Sequence, residues 1–135
     1  PKAIDKVVSF YQDVRGNPVL NKFITVIGTD HKTNLPDSTF DKILMLWTYQ
    51  YFKYPKAIME DLRLKLKENG LLYVINPDID YESGLQLTTA YGWNASPVEK
   101  EITDILQCGF ELIQISRNNF CCENPYLMIF KRKTH

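Results

Sequence analysis

Histidine is nearly missing from this 135-residue sequence: His31 and His135 are the only two. One internal imidazole in a polar loop reads as a surface residue, so hydrolase triads and histidine-based zinc sites are set aside. Cysteine is scarce too, with Cys108 and the adjacent pair Cys121-Cys122 making an odd count without metal-ligand spacing. Neighbouring cysteines rarely bridge one another, so these read as free thiols in a reducing, cytoplasmic compartment. Net charge is absent, 16 Lys+Arg against 16 Asp+Glu, which argues against a dedicated nucleic-acid binder needing excess cations against phosphate. The short basic run Lys131-Arg132-Lys133 reads as a solvated strand end. No apolar stretch approaches the roughly 18 residues of a membrane-spanning helix. Signal-peptide features are lacking at Pro1-Lys2-Ala3-Ile4-Asp5, and a start at Pro without Met predicts that a segment precedes it. Asp78, Asp80 and Glu82 cluster in sequence, but nothing fixes a coordination geometry, and they read as a solvated acidic loop.

Apolar and aromatic side chains are plentiful: 44% of residues are hydrophobic, with seven Phe, eight Tyr and two Trp. That is enough for one folded domain with a core. Ile4, Val7, Val8, Tyr11 and Val14 follow the spacing of an amphipathic helix, stopped by Arg15-Gly16-Asn17-Pro18. Phe23-Ile24-Thr25-Val26-Ile27 reads as a buried strand, and Lys42 to Trp47 as a parallel strand covered on both faces. Pro55 opens a helix whose inward stripe is Ile58, Leu62 and Leu66, with Asn69-Gly70 as its left-handed stop. Leu71 to Ile75 is the next strand, followed by a long loop from Asp78 to Ala95. Ser96 as N-cap, Pro97 at the first position and Glu99 as the capping-box partner open a further helix. Its inward residues are Val98, Ile102, Ile105 and Leu106, and it ends at Gly109. Phe110 to Ser116 and Tyr126 to Phe130 form an antiparallel hairpin. Strands alternating with helices predict a mostly parallel α/β sheet, with ligands beyond the carboxyl ends of the strands.

The series from Leu35 to Pro77 carries more than periodicity. Leu35-Pro36-Asp37-Ser38-Thr39-Phe40-Asp41 precedes an apolar strand, then a helix with Glu60, Arg63, Leu66 and Lys67, then Gly70-Leu71-Leu72-Tyr73-Val74. Cys108-Gly109-Phe110-Glu111-Leu112 follows in order. The series resembles class I S-adenosylmethionine-dependent methyltransferases of the type 11 kind, with Lys67-Glu68-Asn69-Gly70 in place of the family's leucine-lysine-proline-glycine-glycine turn. The likeness runs from Ala3 to Phe130 as a single domain over 1–135. Two family elements do not occur: the G-x-G-x-G loop and the acidic residue that ends the second strand. The resemblance therefore implies a Rossmann-like three-layer sandwich truncated at its N-terminus, its sheet mostly parallel with a C-terminal antiparallel hairpin.

The resemblance also implies site residues and partners. Thr29 and Asp30 fall at the adenine position, with an ordinary loop-capping aspartate as the other reading of Asp30. Leu46 and Trp47 end the strand beside the sulfonium, and Trp47 is equally readable as core. Tyr49, Gln50 and Tyr51 face the acceptor or pack beneath the next helix, and Asn76 contributes to the acceptor pocket. The implied cofactor is S-adenosylmethionine and the implied substrate a small molecule; the residues single out no catalytic base. In the family sheet order 3-2-1-4-5-7-6, the strand at Phe23 is separated from that at Lys42 by two strands that this chain lacks. That gap predicts a homodimer or a partner chain completing the sheet, and leaves a non-catalytic, partner-pairing domain as the alternative function.

Overall fold

The computed structural model describes residues 24–92, 94–117 and 125–134. The helix read at Ile4 to Val14 lies outside them. The first strand, β1 (Phe40–Leu46), leads through a 3-10 turn (Tyr49–Tyr51) into helix α1 (Pro55–Lys65). Pro55 sits at the start of α1 as its sequence requires, and Ile58, Met59 and Leu62 turn inward. The helix ends earlier than Asn69-Gly70 predicts, at Lys65, and β2 (Leu66–Pro77) begins without a loop. The reason is tertiary. The N–H groups of Ser38 and Thr39 donate to the carbonyls of Leu64 and Lys65 at 2.9 Å each. These satisfy helix-end acceptors that would otherwise call for a glycine cap. Gly70 instead lies inside the strand, where a Cβ would come within 2.9 Å of the Phe40 carbonyl oxygen. Its smallness lets β1 and β2 approach.

The expected loop from Asp78 to Ala95 contains a helix, α2 (Tyr81–Tyr91). Asp80 caps it by accepting from the Ser83 N–H at 2.9 Å, and Gly92 closes it at φ 69°. Helix α3 (Val98–Gln107) starts one residue later than its sequence suggests, with Pro97 as N-cap and no side-chain cap from that position. Its stripe is as read: Val98 and Ile105 are buried, and Ile102 and Leu106 pack against the core. Gly109 follows in the left-handed region. Strands β3 (Phe110–Arg117) and β4 (Pro125–Arg132) pair antiparallel, as the sequence indicates.

The sheet order is β1-β2-β4-β3. Only β1 and β2 pair parallel, while β2 with β4 and β3 with β4 are antiparallel, so the described sheet is mixed rather than mostly parallel. Register sorts its side chains into rows. Ile43, Leu72, Phe130 and Leu112 form one row, and Met45, Val74, Met128 and Ile115 the next on the same face. That face packs against α1 and α3 in one core, where Phe110 meets Phe130 edge-on at 6.3 Å. Each fully buried side chain of this size contributes roughly 1.5–3 kcal/mol. The opposite face carries Leu44, Tyr73 and Ile129, then Leu46, Ile75 and Leu127. Leu44 is 63% exposed and Leu46 50%, so β1 is covered on one face rather than two. Among the described residues the helices that pack on the sheet, α1 and α3, share one side, giving two layers where three were expected.

Ile24 to Ile27 does not join the sheet, against its reading as a buried strand. Ile24, Val26 and Ile27 are exposed, and the Ile27 carbonyl is taken by the Asn34 side chain at 2.9 Å. A β-branched run becomes a strand only where a ladder partner exists, and among the described residues none lies beside it. No described helix is long and apolar enough to cross a membrane.

Candidate functional site

The carboxyl ends of β1 and β2 lie side by side, since the two strands are parallel and in register from Lys42–Leu71 to Leu46–Ile75. Just past the end of β1, Trp47 adopts φ 53° while its N–H donates to the Ile75 carbonyl at 2.9 Å. A bulky residue in the left-handed region costs about 1–2 kcal/mol. Such strain persists where the surroundings over-determine it, and it concentrates at functional positions. Trp47 keeps 38% of its surface exposed, and its neighbour Leu46 lies on the open face of the sheet.

The turn that follows divides its side chains. Tyr49 is a core residue, edge-on to Phe52 at 6.4 Å, and its phenol is pushed well above the usual range by burial and then by Asp104 and Glu101. It also borders a cavity of about 230 Å³ with Leu85, Asn94, Pro97 and Asp104. Gln50 is buried; its backbone carbonyl accepts from the Asn94 N–H at 2.7 Å, while its side-chain oxygen has no partner among the described residues. Tyr51 faces outward, 55% exposed. Across from the turn, Asn76 near the end of β2 is buried and donates through Nδ2 to Oε1 of Glu101 at 2.7 Å. Burial pushes the Glu101 carboxyl up to about 7; the Asn76 hydrogen bond opposes this and the Asp104 charge adds to it.

Thr29 and Asp30 belong to a turn held by the Thr29 hydroxyl, which accepts from the N–H groups of His31 and Lys32 at 3.3 and 3.1 Å. The turn leans on the chain beyond the 3-10 turn. His31 stacks on Tyr54 at 4.2 Å, and the exposed Asp30 carboxylate lies 3.8 Å from Lys53. Thr29 shares a cleft of about 320 Å³ with Val26, Leu44, Met45, Phe52 and Leu62 along the edge of β1 away from β2. The structure thus gathers Trp47, Tyr49, Tyr51 and Asn76 at one end of the sheet. Thr29 and Asp30 stand in a neighbouring loop, attached through Lys53 and Tyr54, and Leu46 points to the open face.

The acidic residues of the Asp78 segment have local work: Asp78 lies 3.7 Å from Arg117, and Asp80 caps α2. No group of three His, Cys, Asp or Glu that could hold a metal ion occurs among the described residues. Sequence reasoning missed Glu101 and the buried oxygen of Gln50. Glu101 could have been found, because it lies three residues after Val98 and four before Ile105, on the buried stripe of α3.

Comparison with known proteins adds the frame. No family model matches the chain, and no curated protein matches it. Solved structures do. A protein from Pyrococcus horikoshii superposes with a TM-score of 0.67 at 14% identity, covering 91% of this chain and 64% of that one. An S-adenosylmethionine-dependent methyltransferase from Aquifex aeolicus gives 0.64 at 17% identity, covering 91% and 62%. A chain of the Haloferax volcanii complex containing the Trm112 methyltransferase activator gives 0.61 at 11% identity, covering 82% and 61%. This chain therefore spans less than two thirds of each of these relatives. Its sheet order β1-β2-β4-β3 corresponds to the 4-5-7-6 half of the family sheet, and the fold of this chain is that of the class I S-adenosylmethionine-dependent methyltransferases.

Proposed function

We propose that this chain forms the adenine and acceptor side of an S-adenosylmethionine-dependent methyltransferase acting on a small-molecule acceptor. The domain would comprise residues 1–135, its sheet extended by strands beyond β1 and its open face covered by helices as a third layer. The observation that carries this reading is Trp47, a large side chain held at φ 53° beyond the carboxyl end of a parallel strand. Open α/β sheets bind ligands at that end.

The residues present fit one half of the cofactor. Asp30 offers an exposed acceptor for the adenine amine, and the cleft shared by Thr29, Leu44, Met45 and Phe52 is apolar enough for a flat ring. Trp47 can face the cationic end. The sequence holds no glycine-rich loop for the methionine part. The cofactor, when bound, supplies an already activated methyl group, so the protein mainly aligns the acceptor and excludes water. In this reading Tyr51 faces the acceptor, Asn76 holds the end of β2 beneath it from its buried contact with Glu101, and Tyr49 supports them from the core. No proton transfer is assigned to Glu101, whose carboxyl is enclosed with Asn76. The free thiol of Cys108 suits a cytoplasmic protein.

The edge of β1, unpaired among the described residues, favours a second reading, a non-catalytic domain that pairs with another subunit, and the Haloferax volcanii complex supplies a precedent for methyltransferase-fold partnership. Calorimetric titration with S-adenosylhomocysteine separates the two. Binding that weakens five- to tenfold in Asp30→Asn and in Trp47→Ala is expected for the enzyme. Absence of binding, or binding indifferent to both changes, would move the assignment to the partner domain.

A further inference from the structure

The Asn76–Glu101 contact contains an unbalanced account of protons. A carboxamide presents its N–H and C=O side by side in one plane, and a carboxyl group presents its two oxygens the same way. Asn76 Nδ2 donates to Glu101 Oε1 at 2.7 Å, which uses one side of each group. Asn76 Oδ1 is buried and meets no hydrogen-bond donor among the described residues. Buried carbonyl oxygens are seldom left orphaned, and an ionised carboxylate has no donor to offer this one. A proton on the second oxygen of Glu101 would donate to Asn76 Oδ1 and close a ring of two hydrogen bonds. Reversing the amide leads to the same place, because an oxygen of Asn76 2.7 Å from an oxygen of Glu101 also requires a proton between them.

We infer that Glu101 is held as a neutral carboxylic acid in a cyclic acid–amide pair with Asn76, and that this pair is the positioning device for the carboxyl end of β2. Both partners are nearly inaccessible, with Asn76 and Glu101 each 4% exposed. No arginine or lysine is paired with the Glu101 carboxyl among the described residues. Tyr49 from the 3-10 turn is buried beside it and cannot neutralise an anion. On its own helix Asp104 adds negative charge, itself held by Lys100 at 2.5 Å. From β4, Tyr126 pairs with Asn76 in the ladder, with its hydroxyl bonded to Arg117 and that guanidinium 4.8 Å from its ring. Asp78 lies on the Arg117 side at 3.7 Å. Those cations are engaged elsewhere, so the surroundings favour the uncharged form, as does the direction in which burial moves the carboxyl.

The protonation claim does not depend on the proposed function; the statement that the pair serves the acceptor end rests on it. In the raised-pKa case the folded state holds a proton that the unfolded chain releases near 4.5. The stability this contributes is complete below about 4.5 and is lost as pH rises through about 7. The direct test is a ¹³C NMR titration of the Glu101 carboxyl carbon in the wild-type chain. A transition near pH 7, and a carboxylic-acid shift at pH 5.5, are expected. A transition between pH 4 and 5 would overturn the inference. The second test compares Glu101→Gln, which supplies a permanent N–H to Asn76 Oδ1. Its thermal midpoint relative to wild type should rise between about pH 4.5 and about pH 7 and level off above, whereas parallel curves would contradict a titrating pair. If the carboxyl titrates near 7 yet no cofactor binds, the pair stands and the methyltransferase assignment falls.

Discussion

Trp47 condenses the reading to one residue. Nothing in Leu44-Met45-Leu46-Trp47-Thr48 announces a left-handed backbone, because the signals for that conformation are Gly and Asn, and the conformation here is imposed by the Trp47–Ile75 hydrogen bond and the tight turn after it. The strain can be measured by removing the same ring in two ways. Trp47→Gly should be more stable than Trp47→Ala by about 1–2 kcal/mol in urea unfolding, since only glycine takes φ 53° freely. Equal stabilities would show that the backbone is unstrained. Other site residues were legible as positions rather than as environments. Asn76 is legible from its place after a strand, but its burial against Glu101 depends on a contact between residues 25 positions apart, which no local pattern encodes.

At the scale of elements, the sequence marks starts better than ends. Pro55 placed the start of α1, and the stripe of Val98 and Ile105 placed α3 against the core. The end of α1 was misread because its cap comes from residues almost thirty positions earlier in the chain. There Lys65 Nζ meets Asp37 at 2.6 Å and Asp61 at 3.2 Å, while Thr33 gives Asp61 two hydrogen bonds of 2.8 and 2.7 Å. Burial works against the Asp61 charge, but the Thr33 hydrogen bonds and Lys65 outweigh it and hold the carboxyl below the ordinary range. A carboxyl lowered by folding contributes stability that is present above its unfolded pKa and lost as pH falls through the folded value. Asp61→Asn should therefore cost about 1–3 kcal/mol at pH 7, and the difference from wild type should shrink below pH 4. A constant difference down to pH 2 would place the interaction elsewhere. Helix α2 was missed although Asp80 and Gly92 frame it, because its exposed Leu85 and Tyr91 break the amphipathic pattern that identifies buried helices.

At the scale of the whole molecule, the apolar run of β1 reads as a strand covered on both faces, yet Leu44 and Leu46 face outward and the strand ends the sheet among the described residues. The order β1-β2-β4-β3 is legible through the resemblance, and among the described residues β1 has no second neighbour. An uncovered edge of this kind recruits another strand. Light scattering at micromolar concentration should find dimers or larger species, and replacing Leu44 and Leu46 together by Lys should return the chain to monomer without lowering its thermal midpoint. Monodisperse wild-type monomers would contradict this. The most direct test of the central claim is an amide ¹H–¹⁵N NMR titration of the chain with millimolar S-adenosylhomocysteine. Shifts confined to Thr29, Asp30, Leu46, Trp47 and Tyr51 are expected; no shifts, or shifts gathered at Ser38, Lys67 and Arg132 at the opposite end of the sheet, would contradict a cofactor site at the carboxyl ends of the strands.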